Sequence, residues 1–191
     1  LKKRIFSISI ESEQELDRII NIAQGMDNPA DCFIRLNPDI SAESHPYIQT
    51  GLRTSKFGVS AEMVESMAKK AAVSGVINLI GIASHIGSQI SNKNLIIENL
   101  YLLIEIADLV RSQGHYITHL DLGGGLGIRY KEETEFSPEE VFPDVMTILE
   151  PFGFKLIVEP GRSISGNAGI LLSKIEYLKK TDDYNFAIID S

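Results

Sequence analysis

The sequence predicts an α/β fold built around a parallel sheet, and three observations predict it. Short apolar, β-branched runs alternate with longer stretches of helical period, the pattern of repeated βα units. Several of those runs are apolar on both faces, as strands buried on both sides should be. Residues able to do chemistry stand directly after the strands, which puts them at the strands' C-terminal ends. Periodicity alone leaves a doubly wound sheet and part of an eight-stranded barrel both open. Polar groups recurring after successive strands favour a partial TIM (β/α)8 barrel, whose strand ends converge on one mouth.

Strands are predicted at Ile5–Ile10, Cys32–Leu36, Leu79–Ser84, His119–Leu122, Leu156–Val158 and Phe186–Ile189. After the first, Ser12-Glu13-Gln14-Glu15 reads as a capping box opening a helix to about Gln24. After the second, Asn37–Gly58 is polar and turn-rich and reads as a long loop near a site or interface. Ala61, Val64, Ala68 and Ala71 form one apolar stripe at helical spacing, and Leu100, Leu103, Ile104, Ala107 and Val110 form a second. Ser137-Pro138-Glu139-Glu140 combines an N-cap, a proline at the first helical position and acids in the first turn, so a helix is predicted to about Leu149. The sequence carries no internal repeat, low-complexity tract or linker.

Composition bounds the function. With 43% hydrophobic and 23% charged residues, the 191-residue chain can build a core. A formal charge of -8 gives nucleic acid and anionic membranes no general electrostatic reason to bind. No apolar stretch approaches the roughly 20 residues that span a bilayer, and no basic-then-apolar leader opens the sequence. The single cysteine, Cys32, lies in an apolar run and has no internal partner, which fits a reducing cytoplasm.

Three segments carry chemistry. The third strand ends in His85-Ile86-Gly87-Ser88-Gln89, an imidazole and a hydroxyl at a strand terminus; taken alone, His85 reads more readily as a satisfied structural histidine. The fourth runs into Gly123-Gly124-Gly125-Leu126-Gly127. Glycines let backbone amides surround an anion such as phosphate, and three in a row are entropically costly unless used. Leu126 breaks the Gly-x-Gly-x-x-Gly spacing of a dinucleotide site. The fifth strand ends in Glu159-Pro160-Gly161-Arg162, a carboxylate and a guanidinium three residues apart; a surface ion pair is the plain alternative. Together the three describe a site for a flat, phosphorylated, nitrogen-containing cofactor and a carboxylate substrate. His115 and His119 straddle a loop-to-strand junction, so no metal site is expected. His45 falls in the polar loop, and Lys131–Glu135 reads as a solvated surface.

With these residues, and with Phe33-Ile34-Arg35-Leu36 and Ser55-Lys56-Phe57-Gly58, the sequence resembles the pyridoxal-phosphate decarboxylases with an alanine-racemase-like barrel, along essentially its whole length. Ala83–Gln89 and Leu120–Ile128 favour one branch of that family over the ornithine-type relatives. The resemblance implies pyridoxal 5'-phosphate as cofactor and an amino acid as substrate. It puts His85 against a face of the pyridine ring and Glu159 at the ring nitrogen, both catalytic. Ser88, Gly123, Gly124 and Gly125, with Pro160, Gly161 and Arg162, would hold the phosphate. Arg162 would also bind a substrate carboxylate, Arg35 would support the site, and Lys56 would serve a structural or dimer-interface ion pair.

The resemblance further implies a homodimer, a barrel part over residues 1–170 and the start of a β-rich domain over 171–191. The family's cofactor-bonding lysine matches no lysine of this sequence; its proton-donating cysteine and substrate-binding tyrosine belong to the β-rich domain. The chain is therefore expected to be a central piece with five of eight barrel strands, inactive alone. The alternatives are a decarboxylase of ornithine, arginine or carboxynorspermidine type, a non-catalytic barrel that only binds, and a barrel for an unrelated sugar phosphate.

Overall fold

The computed structural model describes residues 5–40, 56–132 and 137–191. Five parallel strands, β1 (Ile8–Ile10), β2 (Ala30–Leu36), β3 (Ile77–Ser84), β4 (His119–Asp121) and β5 (Lys155–Ile157), form one sheet. Each strand neighbours its successor, in the order β1-β2-β3-β4-β5. A doubly wound sheet would reverse direction at a switch point. An unreversed run of parallel strands is a partial (β/α)8 barrel, so the topology decides what the periodicity left open.

The helices between the strands are α1 (Glu13–Ala23), α2 (Ala61–Ser74), α3 (Lys93–Ser112) and α4 (Pro138–Leu149). Their starts are chemically marked. Ser12 accepts from the Glu15 amide at 3.1 Å while the Glu15 carboxylate takes the Glu11 amide at 2.7 Å, satisfying two donors that a helix start leaves open. Ser60 and Asn92 cap α2 and α3, and Gly75 ends α2 in the left-handed region at φ 67°. At α4 the Ser137 amide donates to Glu140 at 3.2 Å, with Pro138 at the first position.

Side-chain alternation divides the sheet into two faces. One face, carrying Ile10, Cys32, Ile34, Leu36, Leu79, Ile82 and Leu120, packs under the helices with Leu16, Val64, Met67, Leu100, Leu103 and Val141 as a continuous core. Burial among these apolar neighbours, with Asp31 and Glu15 adding to it, pushes the Cys32 thiol up to about 12, which leaves it inert. The other face carries Phe33, Arg35, His119 and Asp121. Near its lower end the rings of Phe6, Phe33 and His119 meet edge to face, with His119 centred 5.2 Å from Phe6. His119 is thus a half-buried ring at the end of the sheet opposite the loops, while His115 Nε2 lies 2.8 Å from the Ala68 carbonyl.

The run Phe186–Ile189 is a strand as expected and lies outside the parallel sheet: β7 (Asn185–Ile189) pairs antiparallel with β6 (Ile175–Lys180), a strand the periodicity did not predict. One strand boundary needs correction. The first strand begins at Ile8 and not Ile5, because only Ile8, Ser9 and Ile10 have partners on β2. His45, Ser55 and Glu133–Glu135 lie outside the described residues, as does most of the expected loop. At its described ends Val59 runs beside β2, exchanging backbone hydrogen bonds with Arg35 and Asn37. Among the described residues no helix is long and apolar enough to cross a membrane.

Candidate functional site

The inward face of the sheet delivers one polar residue from the C-terminal end of each strand. Glu11 follows β1, Arg35 is in the last turn of β2, His85 follows β3, Asp121 closes β4 and Glu159 follows β5. Period-two alternation puts all five on the side away from the helices.

The glycine run is the centre of this arrangement. Gly123, at φ 69°, donates its amide to Asp121 Oδ1 at 2.8 Å, and its carbonyl accepts from the Glu159 amide at 2.8 Å. A Cβ on Gly123 would stand 2.6 Å from the Ser84 carbonyl oxygen and 3.0 Å from the His85 Cβ. On Gly124 it would strike the Glu159 carbonyl, and on Gly125 the Gly87 carbonyl. These glycines are required sterically: they let the loop lie between the turn after β3 and the turn after β5. His85, Gly123–Gly125 and Glu159–Pro160 are thereby brought into one constellation.

Clamps fix the edges. The Gln89 side chain donates to the Ile128 carbonyl at 2.9 Å and accepts from its amide at 3.0 Å, tying the histidine turn to the far end of the glycine loop. The Ile90 amide donates to the Gly125 carbonyl at 2.9 Å. Arg35 Nη1 donates to Glu11 Oε1 at 2.6 Å, and the other Glu11 oxygen takes the Gly58 amide at 3.2 Å. Lys56 Nζ and the Arg35 guanidinium approach the Phe57 ring, at 5.2 and 5.0 Å.

Electrostatics follow from burial. Burial holds the His85 pKa below the usual histidine value, with the Arg35 charge acting the same way and Glu159 opposing. The ring is therefore neutral near pH 7. Burial raises the Asp121 carboxyl to about 6; the Gly123 amide and Arg35 pull it down and Glu159 pushes it up. Glu159 itself is exposed at the mouth, Ser88 and Arg162 are half-buried, and Gly161 has open space where a side chain would be. Arg162 opens a short helix, α5 (Arg162–Ser165). A cavity of about 320 Å3 opens directly against the glycine run, lined by Gly123–Gly125 and Pro160 together with Ile96, Phe142, Val158 and Ile164; neither His85 nor Glu159 lines it.

The sequence reading missed Asp121, Glu11 and Gln89. An aspartate two residues before a glycine is a turn signal that could have marked the first. The other two act through long-range partners that no local pattern encodes.

The arrangement provides a neutral ring, a closely packed glycine loop, an exposed carboxylate and a guanidinium. A family profile described as "Pyridoxal-dependent decarboxylase, pyridoxal binding domain" matches residues 1–166. The diaminopimelate decarboxylase of Pseudomonas aeruginosa is 38% identical over 191 residues, all of this chain and 46% of that protein. That of Haemophilus influenzae is 40% identical over 192 residues, again 100% of this chain and 46% of its own. The crystal structure of diaminopimelate decarboxylase from Helicobacter pylori complexed with L-lysine superposes with a TM-score of 0.86 at 34% identity, covering 100% of this chain and 48% of that one. The chain thus spans about half the length of the curated relatives it matches.

Proposed function

The chain belongs to the pyridoxal-dependent decarboxylase family, and from that premise we propose that the protein is a diaminopimelate decarboxylase. It removes one carboxylate of meso-2,6-diaminopimelate as carbon dioxide and leaves L-lysine. The observation that carries the substrate is identity of 38–40% to diaminopimelate decarboxylases along the whole chain, against 22% to a viral arginine decarboxylase, a level that speaks only for the fold.

The site fits the cofactor on its own geometry. No side chain at Gly123, Gly124 or Gly125 could coexist with the loop's packing, so these positions present only backbone. Pyridoxal phosphate, when bound, supplies an electron sink for the pair left behind by the departing carbon dioxide. The residues of this chain would bind and orient the cofactor. The neutral His85 ring offers a flat face that adds no positive charge beside a protonated pyridine. Glu159 keeps the proton on the pyridine nitrogen, which sustains the sink. Gly123–Gly125, Ser88 and the Pro160–Arg162 turn hold the phosphate, and the planar fork of Arg162 also suits a substrate carboxylate. Arg35, held by Glu11, supports the wall beside His85.

We further place the protein in the cytoplasm as a homodimer, with Lys56 in a structural or dimer-interface ion pair, and read residues 171–191, which hold β6 and β7, as the beginning of a second, β-rich domain. The test is lysine formation from meso-diaminopimelate with added pyridoxal phosphate, comparing the full-length gene product with the 191-residue chain. Activity in the full-length protein only is the expected result. Decarboxylation of ornithine, arginine or carboxynorspermidine in place of diaminopimelate would replace the substrate. A full-length protein that binds no cofactor and has no activity would sink the enzymatic reading.

A further inference from the structure

Asp121 closes β4 on the inward face, in register with Ala83 of β3 and Ile157 of β5. Its Oδ1 accepts the Gly123 amide at 2.8 Å, a bond that turns the chain out of the strand. The same glycine gives its carbonyl to the Glu159 amide at 2.8 Å and lies against Ser84 and His85. One residue therefore touches both the ring platform and the acid's backbone, and Asp121 is the side chain that fixes its amide.

An aspartate capping a turn is common and is ordinarily solvated. This one is half-buried, with the charges of Glu159 and Arg35 both acting on it, so it faces the mouth and not bulk water. Its location has a consequence for the loop. Gly123 at φ 69° and Gly125 at φ 95° have no Cβ to restrict them, so their orientation rests on packing against the neighbouring turns and on hydrogen bonds. The Gly123 and Gly125 carbonyls are held by the Glu159 and Ile90 amides, and Asp121 holds the Gly123 amide at the start of the run; without that acceptor the amide is left without its partner next to the strand end and the peptide entering the run loses its anchor.

We propose that Asp121 is a positioning residue: through Gly123 it sets the amides of the glycine run for the cofactor's phosphate. The inference rests on the reading of this mouth as a pyridoxal-phosphate site. It assigns Asp121 a task separate from that of Glu159, on the phosphate side of the cofactor and not at the ring nitrogen.

The test uses the full-length apoprotein and two probes, pyridoxal 5'-phosphate and pyridoxal, which lacks the phosphate, each titrated by calorimetry. Asp121→Asn keeps an acceptor oxygen at the same reach and drops the charge. Asp121→Ala removes the acceptor, and Asp121→Glu keeps the charge but displaces the acceptor by one methylene. The expected result is a loss of roughly tenfold or more in pyridoxal-phosphate affinity for the Ala and Glu variants, the scale of one hydrogen bond whose acceptor, not its charge, matters. Pyridoxal affinity should move by less than about threefold, and the Asn variant should bind both probes much like wild type. If the Ala variant fails to fold, the contrast between Asn and Glu decides alone. Equal losses for the two probes, no loss in Glu, or an Asn variant as weak as Glu would overturn the positioning role while leaving the site intact. Failure of the wild type to bind either probe would overturn the cofactor reading, and this inference with it.

Discussion

Glu159 and Asp121 are two carboxylates in one mouth with different environments, and the difference makes them separately testable. Glu159 is exposed, and its proposed task is to hold a proton on the pyridine nitrogen. Glu159→Gln in the full-length enzyme should lower kcat by about 10²-fold or more, while pyridoxal-phosphate affinity changes little. Steady-state kinetics beside a cofactor titration check this; parallel losses in both would mean that Glu159 serves binding. Asp121 gives a stability prediction instead. Its folded value of about 6 lies above the ordinary 3.8, so between those values the folded protein keeps a proton that the unfolded chain has released. Stability contributed by this group is present below that interval and is lost as pH rises through it. His85 contributes with the opposite sign, because its lowered pKa favours the neutral ring and stability falls when acid forces a proton on it. The readout is therefore the difference between wild type and Asp121→Asn in urea midpoint at the two ends of the interval. Wild type should lose more on going to the higher pH; equal changes would show that Asp121 does not titrate as its burial implies.

At the scale of elements, the contact of β3 with α3 contains one polar pair inside the core. Ser84 donates to Asn99 Oδ1 at 2.8 Å, with Ser84 2% and Asn99 1% exposed. Ser84→Ala should cost about 1–3 kcal/mol, because it strands a buried amide oxygen. Adding Asn99→Leu should recover part of that loss, and chemical denaturation of the two variants decides it; a further drop in the double variant would show that Asn99 is held by more than Ser84. The pair also shows what a sequence can and cannot disclose. The apolar stripes of α2 and α3 and the caps at Ser12 and Ser137 were legible because helix period and capping are local. Likewise, the motifs at His85, Gly123 and Glu159 were legible because they directly follow apolar strands. The strand β6 was not, since Ile175-Glu176-Tyr177-Leu178-Lys179-Lys180 is exposed along its whole length and no buried face imposes alternation. Nor were the Glu11–Arg35 and Gln89–Ile128 contacts, whose partners lie 24 and 39 residues apart and meet only once the sheet is assembled.

Across the whole molecule the core is unevenly distributed. From Ile10 to Phe154 apolar side chains are packed beneath the helices, but beyond Phe154 the described residues bury almost none. Ile170, Leu171 and Leu172 are 93%, 81% and 88% exposed, and Tyr177, Leu178, Tyr184 and Phe186 line an equally open hairpin. A two-stranded sheet is marginal in water unless something packs on it, and contiguous exposed apolar surface of this kind marks an interaction face. Strands β1 and β5 add free backbone on both edges of the parallel sheet, since each has a single neighbour among the described residues. Two observables follow for the 191-residue chain studied by itself. Its mass by light scattering should rise with concentration, because both the hairpin face and the sheet edges are able to pair. Amides of β6 and β7 should exchange with solvent far faster than those of β2 and β3, whose hydrogen bonds lie in the packed core. A chain that stays monomeric at all concentrations, with β6 as protected as β3, would mean that the hairpin is stabilised by contacts this structure does not contain. Protection of β6 only in the full-length protein would instead identify residues 171–191 as part of a domain completed elsewhere, the reading proposed for them above.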